Sequence, residues 1–348
     1  MKKIVILLAI LYLATFVNSK LNFFEENENL GEEEIFIKFH QVHEKSYNLN
    51  SEEGLKRFQN FQANLNKIKH HNSNPSRLYD MGVTSYADWT EEEWKARNPK
   101  RPDSFGLPHY TPIKSLGNQF QPINWTQKGI NGPVYQDGGF DCRNTYVLAH
   151  TYLIESWNYL KTGIFKSLSP QNLVDCTSWD CTSFDNPMWD ADYNFLYQNG
   201  VFESSVYPYI GKKGTCNSSV IAVNKKYAPN IWERPYAGNT DTETVYSYLT
   251  EGPLFFCSTT TVSYLYTSGL FNDYSENILC GFPGNCYSDG FMLVGYGIDT
   301  TTQNEYWIAK STFGPNWGEK GYIRIQRNDA NQNMGINCLF MRPGLKMN

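Results

Sequence analysis

Between Leu55 and Ile68 the apolar residues Leu55, Phe58, Phe61, Leu65 and Ile68 recur at three- and four-residue steps. That spacing predicts an amphipathic helix. Ser51-Glu-Glu-Gly supplies its start, and the composition is helical from Glu32 to about Asn74. The stretch Arg143 to Leu160 is different: it is apolar nearly all round and is stopped by Gly163. A helix apolar on every side is a buried one. Residues 291–327 change period and read as strands, and Tyr322 to Gln326 alternates with period two. Helices first and strands last predict an α+β unit with segregated halves. Pro99, Pro102, Gly106, Pro108, Pro112, Gly117 and Pro122 break the pattern in between. This is linker composition, expected to be extended and exposed. No internal repeat or low-complexity tract is visible.

Two lysines precede a run from Ile4 to Val17 that is almost wholly apolar, followed by Ser19. This reads as a secretory signal peptide over residues 1–19. The run of about 14 residues is short for a bilayer span, which leaves an N-terminal anchor as the weaker reading. No later segment approaches transmembrane length, so no membrane span is expected once the leader is removed. The 348 residues carry a net charge of -5, with both signs mixed. No basic face points to nucleic acid. The 24 tyrosines and 21 phenylalanines suit a sizeable packed core.

All eight cysteines lie after residue 141. Behind a secretory leader they imply disulfides confined to the back of the chain. No C-x-x-C pair has zinc spacing, so neither a metal nor a cofactor is expected. Asn124-Trp-Thr and Asn217-Ser-Ser are glycosylation sequons.

Glu53, Arg57, Phe61, Asn64, Ile68 and Asn72 fit the spacing E-x3-R-x3-F-x2-N-x3-I-x3-N. This pattern resembles the inhibitory propeptide of the papain family of cysteine proteases. Gly82, Thr84, Tyr86 and Asp88 resemble the G-x-N-x-F-x-D stretch of the same propeptide, with Thr and Tyr substituted. Residues 133–155, and the Val294-Gly-Tyr-Gly and Tyr306–Ile325 blocks, are similar to the peptidase domain. The resemblance implies a signal peptide (1–19), a propeptide (20–98), a linker (99–120) and a papain-like domain (121–348). It also implies a helical left half and a sheet right half in that domain.

A cysteine protease needs a thiol at a helix N-terminus, an imidazole to pair with it, a group that orients the imidazole, and oxyanion donors. With Cys142 and the Ile154-Glu155 pair as anchors, the nucleophile position is Thr145. Aligned without a gap from Pro133-Val134, it would be Arg143. Neither register places a cysteine there. A catalytic Cys142 would deprive the family's disulfide of its first half. The histidine position is Asp289 and the asparagine position is Ser311, and none of the six histidines lies after His150. His150 lies five residues past Thr145 and reads as a packing residue. The oxyanion region carries Gln136 and Asp137, with Asp141 close by, and a carboxylate there opposes developing negative charge. A Thr145 alcohol with Asp289 as base is poorly matched, because a carboxylate has a reference pKa of about 3.9. Phe184, Phe313 and Trp317 mark the former cleft. Phe184 puts bulk where the family has a glycine that pairs with substrate backbone.

By resemblance, Cys142 pairs with Cys181, Cys176 with Cys216, and Cys280 with Cys338. Cys257 and Cys286 remain, and a bond between them would bridge near the former active site. The combined expectation is a secreted or lysosomal, zymogen-like pseudoprotease. Its partner would be a protein or peptide, with its own propeptide over the cleft. An active endopeptidase or hydrolase with rewired chemistry is the alternative from another class, and a storage or matrix protein is the third.

Overall fold

The computed structural model describes residues 30–96, 120–138, 142, 144–177, 181, 195–196, 198–223, 227, 232–233, 241–258, 263–274, 289–337 and 340–343. The leader over 1–19, the linker from Pro99 to Gln119, Asp141, Arg143, Phe184, Cys280, Cys286 and Cys338 lie outside them.

The front of the chain forms two helices within its stretch of helical composition, α1 (Glu32–Val42) and α2 (Glu52–Asn72), the second starting after Ser51 as Ser51-Glu-Glu-Gly predicts. Ser51 caps α2, its Oγ accepting from the Gly54 amide at 3.1 Å. The helices meet through Phe36 and Phe39 on Phe61, with ring centroids 5.3 and 4.8 Å apart. The buried face of α2 differs from the expected apolar stripe. Leu55 is 58% exposed, whereas Arg57 and Asn64 are buried with Phe61, Leu65 and Ile68. The reason is the chain packed across α2. Arg57 and Asn60 donate to the Asp88 carbonyl, and Asn64 donates to the Ala87 and Trp89 carbonyls. Backbone acceptors at the helix face need buried donors more than another leucine.

Strand β1 (Tyr79–Met81) and helix α3 (Glu91–Ala96) complete this segment. The remaining elements are β2 (Ile123–Asn124), α4 (Thr145–Thr162), β3 (Leu168–Ser169), α5 (Gln171–Cys176), β4 (Phe202–Glu203), α6 (Ser218–Val223), β5 (Trp232–Glu233), α7 (Thr242–Glu251), β6 (Leu254–Cys257), β7 (Tyr266–Phe271), β8 (Gly290–Ile298), β9 (Glu305–Lys310), β10 (Tyr322–Gln326) and β11 (Phe340–Pro343). Helix α4 begins at Thr145, two residues after the expected start at Arg143, with Asn144 as its N-cap. It ends at Gly163, whose φ of +70° and bond to the Tyr159 carbonyl make the glycine stop.

The strands order as β1-β7-β10-β9-β8-β6-β11-β5, with β2 taking over the edge of β8 beyond β6. The architecture is α+β, with helices α4 and α5 to one side and the sheet as the other half. Strand β8 is buried from Gly290 to Gly297, which explains its near-continuous apolar run. Strand β10 instead alternates buried and half-buried residues, as its sequence period predicts.

Candidate functional site

Helix α4 and the β8–β9 pair bring three positions together. The antiparallel register Met292↔Lys310 carries Asp289 and Ser311 to the same end of β8 and β9. The start of α4 lies against that end, where the Thr145 Oγ1 accepts from the Gly290 amide at 3.1 Å. The contact is close: a Cβ on Gly290 would stand 2.9 Å from the Thr145 carbonyl oxygen and 3.1 Å from Tyr146 Cα. The helix N-terminus therefore rests on the sheet where only glycine leaves room.

All three groups are buried. The Asp289 carbonyl accepts from the Ser258 amide at 3.1 Å. Ser311 donates its amide to the Gly321 carbonyl, and its Oγ accepts from the Phe313 amide at 3.3 Å. The Thr145 and Ser311 hydroxyls thus both serve as acceptors for backbone amides. Among the described residues no imidazole shares this end of the sheet. His150 is buried further along α4, its Nδ1 2.8 Å from the Tyr146 carbonyl and its ring 4.2 Å from that of Phe255. Among the described residues no imidazole is placed to serve an alcohol here as base.

The loop before α4 forms the second wall. Gln136 bridges to Phe313, and the Asp137 amide donates to the Thr312 carbonyl at 2.9 Å. Gln136 is exposed, and its side chain lies over Gly314, where a Cβ would stand 2.8 Å from its Oε1. Asp137 is buried, and its Oδ1 accepts from the Tyr86 phenol at 3.1 Å. Phe313 and Trp317 are buried and meet edge to face at 4.8 Å. Trp317 also donates its Nε1 to the Ser263 carbonyl.

Cys142 is bonded to Cys181, and Cys176 to Cys216. The first bond holds the sulfur of Cys142 in the loop that precedes α4. Cys257 is buried at the end of β6, opposite Gly290, with the Tyr146 hydroxyl 3.0 Å from its sulfur. Its suggested partner Cys286, like the Cys280–Cys338 pair, lies outside the described residues. Asn217 is exposed at the head of α6. Asn124 is half-buried in β2 and accepts from the amide and hydroxyl of Thr126.

Sequence reasoning missed one buried ionisable pair behind the site. Glu155 on α4 accepts from the Leu168 amide at 2.8 Å. Lys310 at the end of β9 donates to the Gly132 carbonyl at 2.9 Å and stands 3.8 Å over the Tyr152 ring. Burial pushes the Glu155 carboxyl up to about 7 and the Lys310 ammonium down to about 8, and the attraction between them opposes both shifts. Both residues stand beside quoted motif positions, yet a charged letter in a sequence carries no sign of its burial. Tyr86 was visible as a departure from its motif, but its contact with Asp137 joins positions 51 apart.

Among the described residues no group of three His, Cys, Asp or Glu side chains is placed to hold a metal ion. Among the same residues no helix is long and apolar enough to cross a membrane.

A helix N-terminus set against a sheet end, beneath a helical segment paired to the sheet edge, is the frame of a cysteine protease in its proform. Residues 121–341 match the papain family cysteine protease domain, and residues 36–94 match the cathepsin propeptide inhibitor domain (I29). The chain belongs to the papain family. It is 30% identical over 323 residues to a cathepsin L-like proteinase of Phaedon cochleariae, spanning 90% of this chain and 94% of that protein. It is 28% identical to vignain of Vigna mungo, over 94% of this chain and 90% of that one. Among solved structures, digestive procathepsin L 3 of Tenebrio molitor larval midgut superposes with a TM-score of 0.73 at 25% identity, covering 90% of this chain and 99% of its own. The recombinant stem bromelain precursor gives 0.72 at 25% identity, with the same coverage.

Proposed function

We infer that this chain is a catalytically inactive member of the papain family that works by binding a protein or peptide. One observation carries this reading. The residue at the first turn of α4 is Thr145, and its hydroxyl accepts from the Gly290 amide, while Asp289 and Ser311 fill the histidine and asparagine positions. A thiolate–imidazolium pair cannot form from these groups. The Asp137 carboxylate supports the same reading, because it brings negative charge to the region where an oxyanion needs donors. The leader-like N-terminus and the two disulfides support a secreted or lysosomal destination.

The test is turnover of fluorogenic dipeptide substrates by purified protein, before and after an added protease removes the front segment. No turnover is expected, and an epoxide that alkylates active-site thiols should not label the protein. Incubation of the pure precursor at about pH 4.5, in the carboxylate range, should leave its mass unchanged. Saturable turnover abolished by Thr145→Ala, or self-cleavage independent of protein concentration, would overturn the reading.

A further inference from the structure

Asn124 ends strand β2, and its register joins it to two neighbouring strands. Asn124 pairs with Gly295 on β8, and Gly295 pairs with Ile308 on β9. Residues paired in register share a face of the sheet, and Gly295 has no side chain to fill the space between the other two. A Cβ there would stand 2.9 Å from the Ile308 Cδ1, so only glycine leaves the isoleucine its place. Beside this row lies an open cavity of about 460 Å³. Its lining includes Asn124, Asn131, Val134, Ile308, Lys320 and Tyr322. Val134, Ile308 and Tyr322 are half-buried and offer apolar surface, while Asn131 and Lys320 are exposed and polar.

Asn124 also opens the sequon Asn124-Trp-Thr. Its Oδ1 accepts from the Thr126 amide at 3.0 Å and from the Thr126 hydroxyl at 2.7 Å. This is an Asx-turn, in which the side chain bonds the backbone two residues on. It commits the carboxamide oxygen, and among the described residues none bonds the nitrogen, Nδ2. In the other sequon the Asn217 Oδ1 accepts from the Ser219 hydroxyl at 2.7 Å. The two asparagines thus hold their oxygens alike and differ in their surroundings. Asn124 is half-buried beside the cavity, and Asn217 is open to solvent.

We propose that Asn124 carries an N-linked glycan and that this cavity is the seat of its first sugar. Nδ2 forms a bond to the anomeric carbon of an oligosaccharide donated from a lipid-linked diphosphate. Nδ2 loses one proton, and the carbon–oxygen bond to the diphosphate breaks with its electron pair left on oxygen. Because Asn124 is paired to β8, the transfer precedes the docking of β2. An N-acetylhexosamine has a face of C–H groups that suits the Tyr322 ring and the Ile308 and Val134 side chains, and hydroxyls that suit Asn131 and Lys320. A glycan on Asn217 stands free in solvent instead. This inference rests on the secretory destination and not on whether the body is active.

The experiment uses the protein purified from the cells that make it. Peptide mass spectrometry reads the occupancy of each sequon, and both are expected to carry a glycan. An amidase that cleaves N-glycans is then applied to the folded protein, and release from each site is timed. The Asn124 glycan should leave more slowly than the Asn217 glycan by about tenfold or more, and the difference should vanish after denaturation. Tyr322→Ala removes the ring against which the sugar packs. It should raise the Asn124 rate by about tenfold and leave the Asn217 rate unchanged. A bare Asn124 beside an occupied Asn217 would overturn the proposal and spare the secretory destination, whereas two bare sequons would overturn both. Release from Asn124 as fast as from Asn217 in the folded protein would refute the seat, as would a Tyr322→Ala rate within about twofold of the parent. If Tyr322→Ala does not fold, the two release rates of the parent decide.

Discussion

Trp94→Ala tests the energetics of the boundary between the front segment and the body. Trp94 is fully buried in α3, and among the described residues four aromatic rings lie around it. Tyr86 and Trp89 lie at 5.0 and 6.2 Å on its own segment, and Phe313 and Tyr264 at 5.1 and 5.8 Å on the body. Truncating a buried tryptophan costs about 3–5 kcal/mol through lost transfer energy and the cavity left behind. Because ring pairs add about 0.5–1.5 kcal/mol each beyond their buried area, the upper half of that range is expected. Two of these four contacts among the described residues cross the boundary, so roughly 2 kcal/mol of the loss should appear in docking. Urea unfolding of the full chain measures the total. Amide exchange at Gly82, whose donor bond reaches the Leu265 carbonyl, measures docking and should speed up by about thirtyfold. Leu55→Ala is the control, because Leu55 is 58% exposed and surface truncations stay within about 0.5 kcal/mol. A loss below about 1 kcal/mol for Trp94→Ala, or unchanged exchange at Gly82, would refute the reasoning.

Thr145→Cys with Asp289→His and Ser311→Asn should remain far below an ordinary family protease in dipeptide turnover. One missing oxyanion donor alone costs about 10²–10³ in rate, so adding Asp137→Gln should recover part of the deficit. Glu155 has a folded-state pKa of about 7 against an ordinary 4.5, so the folded protein holds that proton more tightly. Its contribution is full below about pH 4.5 and fades as pH rises to about 7. Glu155→Gln should flatten that fall in thermal-melt profiles, and an unchanged slope would reject the assigned burial effect. Removing the Cys142–Cys181 bond, which spans 39 residues, with paired alanines should cost about 3–4 kcal/mol in denaturant titrations. Loss of less than about 1 kcal/mol would show that the loop before α4 is held by other contacts.

Local pattern determined much of this protein. The helix of residues 145–162, buried almost throughout as far as Trp157, follows from apolar residues on every side, and its end at Gly163 follows from the one residue that takes a left-handed φ without strain. The alternation of residues 322–326 gave a strand because a half-covered strand repeats every two residues. The reading of Thr145, Asp289 and Ser311 as the family's Cys, His and Asn positions rests on the same kind of signal, because spacing within a motif is a local property. The start of α2 was legible from Ser51-Glu-Glu-Gly, but the end of α1 at Val42 was not, since helical composition runs through it.

What the tertiary structure decided are matters of which distant residues meet. Leu55 fits a helical stripe, yet it faces outward because α2 turns Arg57 and Asn64 toward the carbonyls of residues 87–89. Strand β1 has three residues, too few for a reliable period, and it exists because β7 offers it a partner. Glu155 and Lys310 are 155 residues apart in the chain and become a buried pair only when α4 packs on the sheet. Tyr86 and Asp137 look like two unrelated departures from a family pattern until folding sets a phenol against a carboxylate. Burial and partnership depend on long-range packing, and the energy of a polar group depends on both.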